Sequence, residues 1–290
     1  MATYDKKKLE LVQLNTHDVK SLIELSISVG WDYDKYEIET VLSSGIIFGH
    51  KNAEGKVVSS AAIISYDTNL ASIGMVIVNK EFRGLGLGKE ATQKCIDFAA
   101  INKSIMLIAT EEGKPLYEKM GFRTVDCVHK YLCDNYTKSS KVLIKDGVTI
   151  EDFNNIDINK IVDLDKASFG DKRSNFLLNR INQSEQCLVV KDYNGNIIGY
   201  GISIRGPINL ILGPIVAPDT ETAALILDRL AFNHHGKLRI DVPSGNEEFM
   251  LFLEQRGFNK VSEPPIMVLH SENMPPRNNT LFGIAAQIFG

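Results

Sequence analysis

The run from Gly74 to Lys89 constrains this chain most: an apolar strand, Met75-Val76-Ile77-Val78, passes through Asn79-Lys80-Glu81-Phe82 into Arg83-Gly84-Leu85-Gly86-Leu87-Gly88 and then a helix. Glycines at alternate positions let successive backbone N–H groups converge on one point without interference from Cβ. A helix read from Lys89 to about Ala100 adds unpaired N-terminal donors and the positive end of its dipole. With Arg83 and Lys89 bracketing the turn, the segment reads as a cradle for a diphosphate.

Two nucleotide-binding loops are excluded by spacing. The dinucleotide fingerprint needs G-x-G-x-x-G, whereas Gly84, Gly86 and Gly88 are packed one residue too tightly. The P-loop needs four residues between its glycines followed by Lys-Ser/Thr; here Gly84 and Gly88 enclose three, and Glu90 after Lys89 offers no hydroxyl. The pattern that fits is R-x-x-G-x-G, over Arg83 to Gly88. In this it resembles the acetyl-coenzyme A signature of the GNAT superfamily of N-acetyltransferases. The resemblance implies acetyl-CoA as co-substrate, its pyrophosphate on the amides of Arg83, Gly84, Leu85, Gly86, Leu87, Gly88 and Lys89. The pantetheine arm would then pair with the strand at Val76, Ile77 and Val78 and pass Thr110.

Downstream, Ser104 to Thr110 reads as a buried strand, and Gly113 to Phe122 as a short helix closed by a glycine. The segment Leu116-Tyr117-Glu118-Lys119-Met120-Gly121-Phe122 is similar to the second GNAT hallmark. By that resemblance Tyr117 is the acid that protonates the departing thiolate; as a plain helix residue it would instead be packed with its hydroxyl satisfied.

At 290 residues and 44% hydrophobic the chain exceeds a single small α/β unit, so two domains are expected. A net charge of −4 argues against nucleic acid or an anionic membrane as a partner. The polar start and the lack of a spanning apolar run read as cytoplasmic. Cys95, Cys127, Cys133 and Cys187 show no C-x-x-C spacing and read as reduced thiols; His234-His235 reads as a helix end, and no metal is expected.

The same plan runs twice. Helices near Asp18–Val29 and Ile158–Ala167, hairpin turns at Asn52–Gly55 and Tyr193–Asn196, and Glu-x-x-Gly-Phe at Glu118–Phe122 and Glu254–Phe258 fall in the same order. The fold class expected is therefore α/β, an α+β mixed sheet: two tandem GNAT-like domains, each a mixed, mostly antiparallel sheet flanked by helices. Residues 1–136 form the acetyl-CoA-binding domain, 137–146 a linker, and 147–290 a degenerate GNAT-like domain. In the second half Pro218-Asp219-Thr220-Glu221-Thr222-Ala223 replaces the glycine loop with two carboxylates, which would repel a diphosphate, and Phe252 stands where Tyr117 would be.

Together these features resemble the tandem-GNAT branch of the YitH/HolE type over nearly the whole chain. They include Gly30-Trp31 and Ile73-Gly74-Met75 in the first half, and Ser168-Phe169-Gly170-Asp171, Gly213-Pro214-Ile215 and Ile240-Asp241-Val242-Pro243 in the second. Ile266-Met267 departs from the Arg-Met often found in that branch. The activity implied is transfer of acetyl to a small-molecule amine, with a protein acetyltransferase and a non-catalytic acetyl-CoA sensor as the other readings. A water relay or Glu111 is expected to take the amine proton. The acceptor is expected between the domains, walled by Trp31, Tyr33 and Tyr36 from the first and by Arg173, Arg205 and Asp241 from the second. Each arginine reads also as half of a structural ion pair. The chain is expected to act as a monomer or homodimer.

Overall fold

The computed structural model describes residues 6–99, 102–137 and 146–290. The first half contains β1 (Glu10–Leu14), α1 (Val19–Ser28), α2 (Lys35–Ser44), β2 (Ile46–Lys51), β3 (Ser59–Ser65), β4 (Leu70–Val78), α3 (Leu87–Phe98), β5 (Ser104–Ile108), α4 (Lys114–Lys119) and β6 (Arg123–Cys133). The second repeats the order: β7 (Val148–Asp152), α5 (Ile158–Phe169), α6 (Ser174–Gln183), β8 (Gln186–Asp192), β9 (Ile197–Arg205), β10 (Asn209–Val216), α7 (Thr220–Ala231), β11 (Lys237–Pro243) and α8 (Glu247–Gln255). It closes with β12 (Asn259–Ser262), β13 (Pro265–Leu269) and β14 (Leu281–Gly283). No helix among the described residues is long and apolar enough to cross a membrane.

The strands form one continuous path, β1-β2-β3-β4-β5-β13-β6-β11-β10-β9-β8-β7, with β12 on β6 and β14 on β10. Only β4–β5 and β10–β11 are parallel along it, so each half is mixed and mostly antiparallel, as expected. The two halves exchange strands. β13, from the second half, lies between β5 and β6 of the first. The far end of β6, Val128 to Cys133, pairs with β11 of the second. Residues 1–136 and 147–290 therefore do not each close their own sheet. Motif spacing marks the repeat, but a pairing between distant strands leaves no local signal. Residues 138–145 of the expected linker lie outside the described residues.

Burial follows the alternation of the strands. Ile105, Leu107, Ala109 and Met267 pack with Ala91 and Cys95 of α3, while Met106, Val128, Ile266 and Val268 face a core shared with Ile161, Phe169 and Tyr200 of the second half. At Met75, φ is 52°, and the β3–β4 register shifts nearby. This bulge turns Met75 and Ile77 onto the shared core already faced by Leu70.

The apolar segment after Pro276 packs back: β14 forms, and Ile284, Ile288 and Phe289 are buried between the halves. The Ser72 hydroxyl donates to the carbonyl of Ile288 at 2.7 Å, the Arg180 guanidinium to that of Ala285 at 2.7 Å, and the Arg173 guanidinium to those of Phe289 and Gly290 at 3.1 Å. The absence of a side chain at Gly74 makes room, since a Cβ there would lie 2.8 Å from Cα of Ile288. Gly74→Ala should thus lower unfolding free energy by about 1–3 kcal/mol. A denaturation midpoint equal to that of the parent would show that the segment is not held against β4.

Candidate active site

β4 and β5 run together only from Leu70 to Ile73. Beyond Ile73 the β5-facing edge of β4 has no strand partner among the described residues, so a notch opens beside Val76, Ile77 and Val78. The strand leads through a short turn capped by the Asn79 side chain to the glycine loop. Gly84 and Gly86 adopt φ of 83° and 78°, values that favour glycine, and α3 starts at Leu87, two residues earlier than the sequence suggests.

The loop amides are the main observation. Among the described residues, the backbone N–H groups from Gly84 to Lys89 donate to no protein acceptor; the first intrahelical bond is from Glu90 N–H to Gly86 C=O at 3.1 Å. Unpaired amides at a helix start form an anion cradle. Arg83 flanks it, half-exposed, with its guanidinium 3.7 Å from the carboxylate of Glu112.

At the other side of the notch, Leu116 of α4 approaches the position that a Cβ on Gly88 would take, at 3.8 Å, and Val78 does so at 3.3 Å. Strand end, glycine loop and α4 therefore converge. Tyr117 lies in α4 with its ring buried and edge-on to Phe122, and its hydroxyl has no hydrogen-bond partner among the described residues. Burial, with the neighbouring Cys95 second, pushes its phenol well above the ordinary value. It thus stays protonated at neutral pH. Thr110 accepts the Gly113 N–H at 3.1 Å through its side chain, and Gly113 lets the Tyr117 ring approach. Glu111 is exposed in the turn between β5 and α4.

Lys6 and the His50–Glu90 pair were not singled out by sequence reasoning. Lys6 is ion-paired with Glu90 in the first turn of α3, and its Nζ lies 3.9 Å from where a Gly86 Cβ would be. The buried His50 sits 3.2 Å from the same carboxylate and 2.7 Å from the Ser59 hydroxyl. A hydrogen bond from Lys6 is the main cause holding the Glu90 carboxyl below its usual range, while burial lowers His50. The negative residue nearest the cradle is thereby neutralised.

The second half has no equivalent. Asp219 caps α7 through its own side chain, accepting from Thr222 N–H at 2.8 Å, and the region where β10 and β11 separate is taken by β14, paired with β10 at Ile215 and Val216. Ile284 N–H then donates to Asp241 C=O at 2.9 Å.

The expected acceptor residues divide. Trp31 and Tyr33, with ring centroids 6.1 Å apart, pack on the shared core, and Tyr33 feels the charge of Arg239, which is paired with Asp241 at 2.8 Å. Trp31, Tyr33 and Asp241 thus belong to one region between the halves. Tyr36 is exposed on α2. Arg173 is not available as a wall. It is fully buried, bidentate to Asp165 at 2.7 and 2.9 Å, and stacked 3.8 Å over Phe169. Arg205 lies on the exposed surface, bidentate to Glu185 at 2.6 and 2.7 Å. Both arginines are committed to carboxylates that sequence spacing does not reveal.

Comparison with known proteins gives the class. Residues 17–122 match the Acetyltransferase (GNAT) family and residues 161–283 an Acetyltransferase (GNAT) domain. The chain is 37% identical over 282 residues to the Uncharacterized N-acetyltransferase YitH of Bacillus subtilis (strain 168), covering 97% of this chain and 98% of that one. The chain belongs to the GNAT acetyltransferases, as an enzyme with two such domains in tandem.

Among solved structures, a Pyrococcus horikoshii protein described as "A Putative Acetyltransferase" superposes with a TM-score of 0.81 at 20% identity, covering 100% of this chain and 98% of that one. The tandem GNAT protein from the clavulanic acid biosynthesis pathway gives 0.64 at 12%, covering 90% and 98%. At these identities they share the fold. Among the described residues no group of three or more His, Cys, Asp or Glu could hold a metal ion.

Removing the buried guanidinium in Arg173→Met leaves Asp165 without its cation and should cost about 3–5 kcal/mol of stability. Arg205→Ala should leave the midpoint within error. Urea titrations of both variants check this, and equal effects would contradict the structural assignment of Arg173.

Proposed function

We propose that the first domain binds acetyl-CoA and that the enzyme moves its acetyl group to the amine of a small molecule by direct attack in a ternary complex. The observation that carries this is the row of backbone amides from Gly84 to Lys89, unpaired among the described residues, beside α4, whose Leu116 reaches Gly88 and whose Tyr117 hydroxyl has no partner among the described residues. The residues present fit the co-substrate. The amides and the side chains of Arg83 and Lys89 suit the diphosphate, and the open edge of Val76, Ile77 and Val78 suits the amide-bearing arm, with Thr110 at its far end. When bound, acetyl-CoA supplies an activated thioester.

The acceptor nitrogen, neutral when it attacks, forms the new C–N bond as the C–S bond breaks. Strand N–H near Val76 polarises the carbonyl oxygen, and Tyr117 delivers its proton to the leaving sulfur. An alkylamine with a solution pKa of about 10 must first lose a proton. A water relay, or Glu111, exposed beside α4, takes that role. The second domain and the packed-back 284–290 segment cover the face of β4 carrying Ser72 and Gly74, which favours a compact acceptor over an extended peptide. Four free thiols support a reducing, cytoplasmic setting.

Calorimetric titration with acetyl-CoA should give one site per chain, weakened at least tenfold by Gly86→Glu, which strains the φ of 78° and places a carboxylate in the cradle. Two sites, or undiminished binding, would place the coenzyme elsewhere. Tyr117→Phe should lower kcat by about 10²–10⁴-fold with acetyl-CoA affinity kept. A variant with parental kcat would remove Tyr117 as the acid.

A further inference from the structure

Lys130 lies in β6, opposite Asp241 of β11 in the register, on the side of the sheet that also carries Val128 of the shared core. It is half-buried, yet it makes no ion pair or hydrogen bond among the described residues. The neighbouring groups are Arg239, Asp241 and Asp32, all felt electrostatically by Lys130. Asp241 is committed on both oxygens, to Arg239 Nε at 2.8 Å and Gln287 Nε2 at 2.8 Å. Asp32, in the turn between α1 and α2 beside Tyr33, makes no ion pair or hydrogen bond of its own among the described residues. It acts electrostatically on Lys130, Arg239 and Tyr33. A half-buried ammonium without a direct partner is unfavourable and calls for an anion. Burial, reinforced by Arg239, accordingly pulls the Lys130 amine below its usual value. Lys130 and Asp32, charges of opposite sign that act on each other electrostatically but make no direct pair among the described residues, match a zwitterion.

The register places this pair relative to the notch. β4 and β5 are parallel and β13 is antiparallel to both β5 and β6, so β4 and β6 run in the same direction. Ile73 is level with Leu107, and Ile108 with Ile266 and Asp126. Lys130 is four residues past Asp126, as Val78 is four past Gly74, so Lys130 stands level with the notch. Where the strands are still paired, at Ile73 and Asp126, three strand spacings separate β4 from β6, roughly 14 Å, and because β4 and β5 part beyond that level the gap beside Lys130 is no smaller. Even with a lysine side chain extended toward the notch, an amine and a carboxylate on the same carbon cannot bridge that gap; an amine several methylenes away can.

We propose that the acceptor is a free diamino acid, its α-carboxylate held by Lys130 and its α-ammonium by Asp32, with its side-chain amine presented to the thioester. This rests on the acetyltransferase reading above and deepens it. The bonds made and broken are unchanged: the side-chain nitrogen gains the acetyl group and loses a proton, and sulfur leaves as the thiol.

The test uses the full chain, acetyl-CoA and three probes: L-lysine, 6-aminohexanoate, which lacks the α-ammonium, and 1,5-diaminopentane, which lacks the carboxylate. The parent should acetylate L-lysine with kcat/KM at least about tenfold above either analogue. Lys130→Met should erase the advantage over 1,5-diaminopentane, Lys130→Arg should keep part of it, and Asp32→Asn should erase the advantage over 6-aminohexanoate. Lys130→Met should melt no lower than the parent, because a structural lysine would lower it and an unsatisfied one would not. Equal rates on L-lysine and 1,5-diaminopentane, persistence of the preference in Lys130→Met, or acetylation of none of the probes while acetyl-CoA binds would each overturn the proposal. Failure of acetyl-CoA to bind would instead overturn the reading of the cradle.

Discussion

The backbone ladder along β6 is the constraint on which the rest depends. Its first residues pair with β13 and its last with β11 and β12, so one strand belongs to the sheets of both halves. Because β13 reaches the first sheet only after the whole second domain has been traversed, the first sheet is completed by residues near the end of the chain. The α1–α2 turn is consequently held over the junction, where Tyr33 feels Arg239 of β11. The bidentate Arg173–Asp165 pair stabilises the same junction from beneath, tying α5 to the 284–290 segment through the carbonyls of Phe289 and Gly290.

Local features of the site were legible in the sequence because their physics is local. Alternate glycines imply positive φ and bare amides, and among the described residues Gly84 and Gly86 have both. The glycine that closes the Tyr117 helix, Gly121, has φ of 95°. Asp219 and Glu221, which stand in place of the loop in the second half, lie at a helix start that Asp219 caps itself. The strand exchange was not legible, because Pro265–Leu269 reads equally well as the last strand of its own half. The acceptor cations failed for a related reason. Arg173 and Arg205 stand out in the sequence as isolated guanidinium groups, but carboxylates that fold back onto them, Asp165 and Glu185, claim both. Lys130 drew no notice within an unremarkable strand and only the pairing of β6 with β11 sets it beside Arg239.

The two halves treat the same gap between parallel strands differently. In the first, the space beyond Ile73 is left to the glycine loop and α4; in the second, β14 enters it, and Phe282 packs edge-on against Phe249 with ring centroids 5.3 Å apart. Only the second satisfies the edge of the central strand with the chain's own peptide groups. The halves differ in whether the chain itself supplies the partner groups.

β14 can therefore be seen as a covalent tenant. Its peptide groups meet β10 with the donor and acceptor chemistry that the paired amides of a pantetheine arm would offer to β4, and it cannot dissociate. The duplicated architecture repeats one strand geometry, with β14 laid against it in the second half. What sets the two halves apart is whether a strand of the chain itself is permanently attached along that edge.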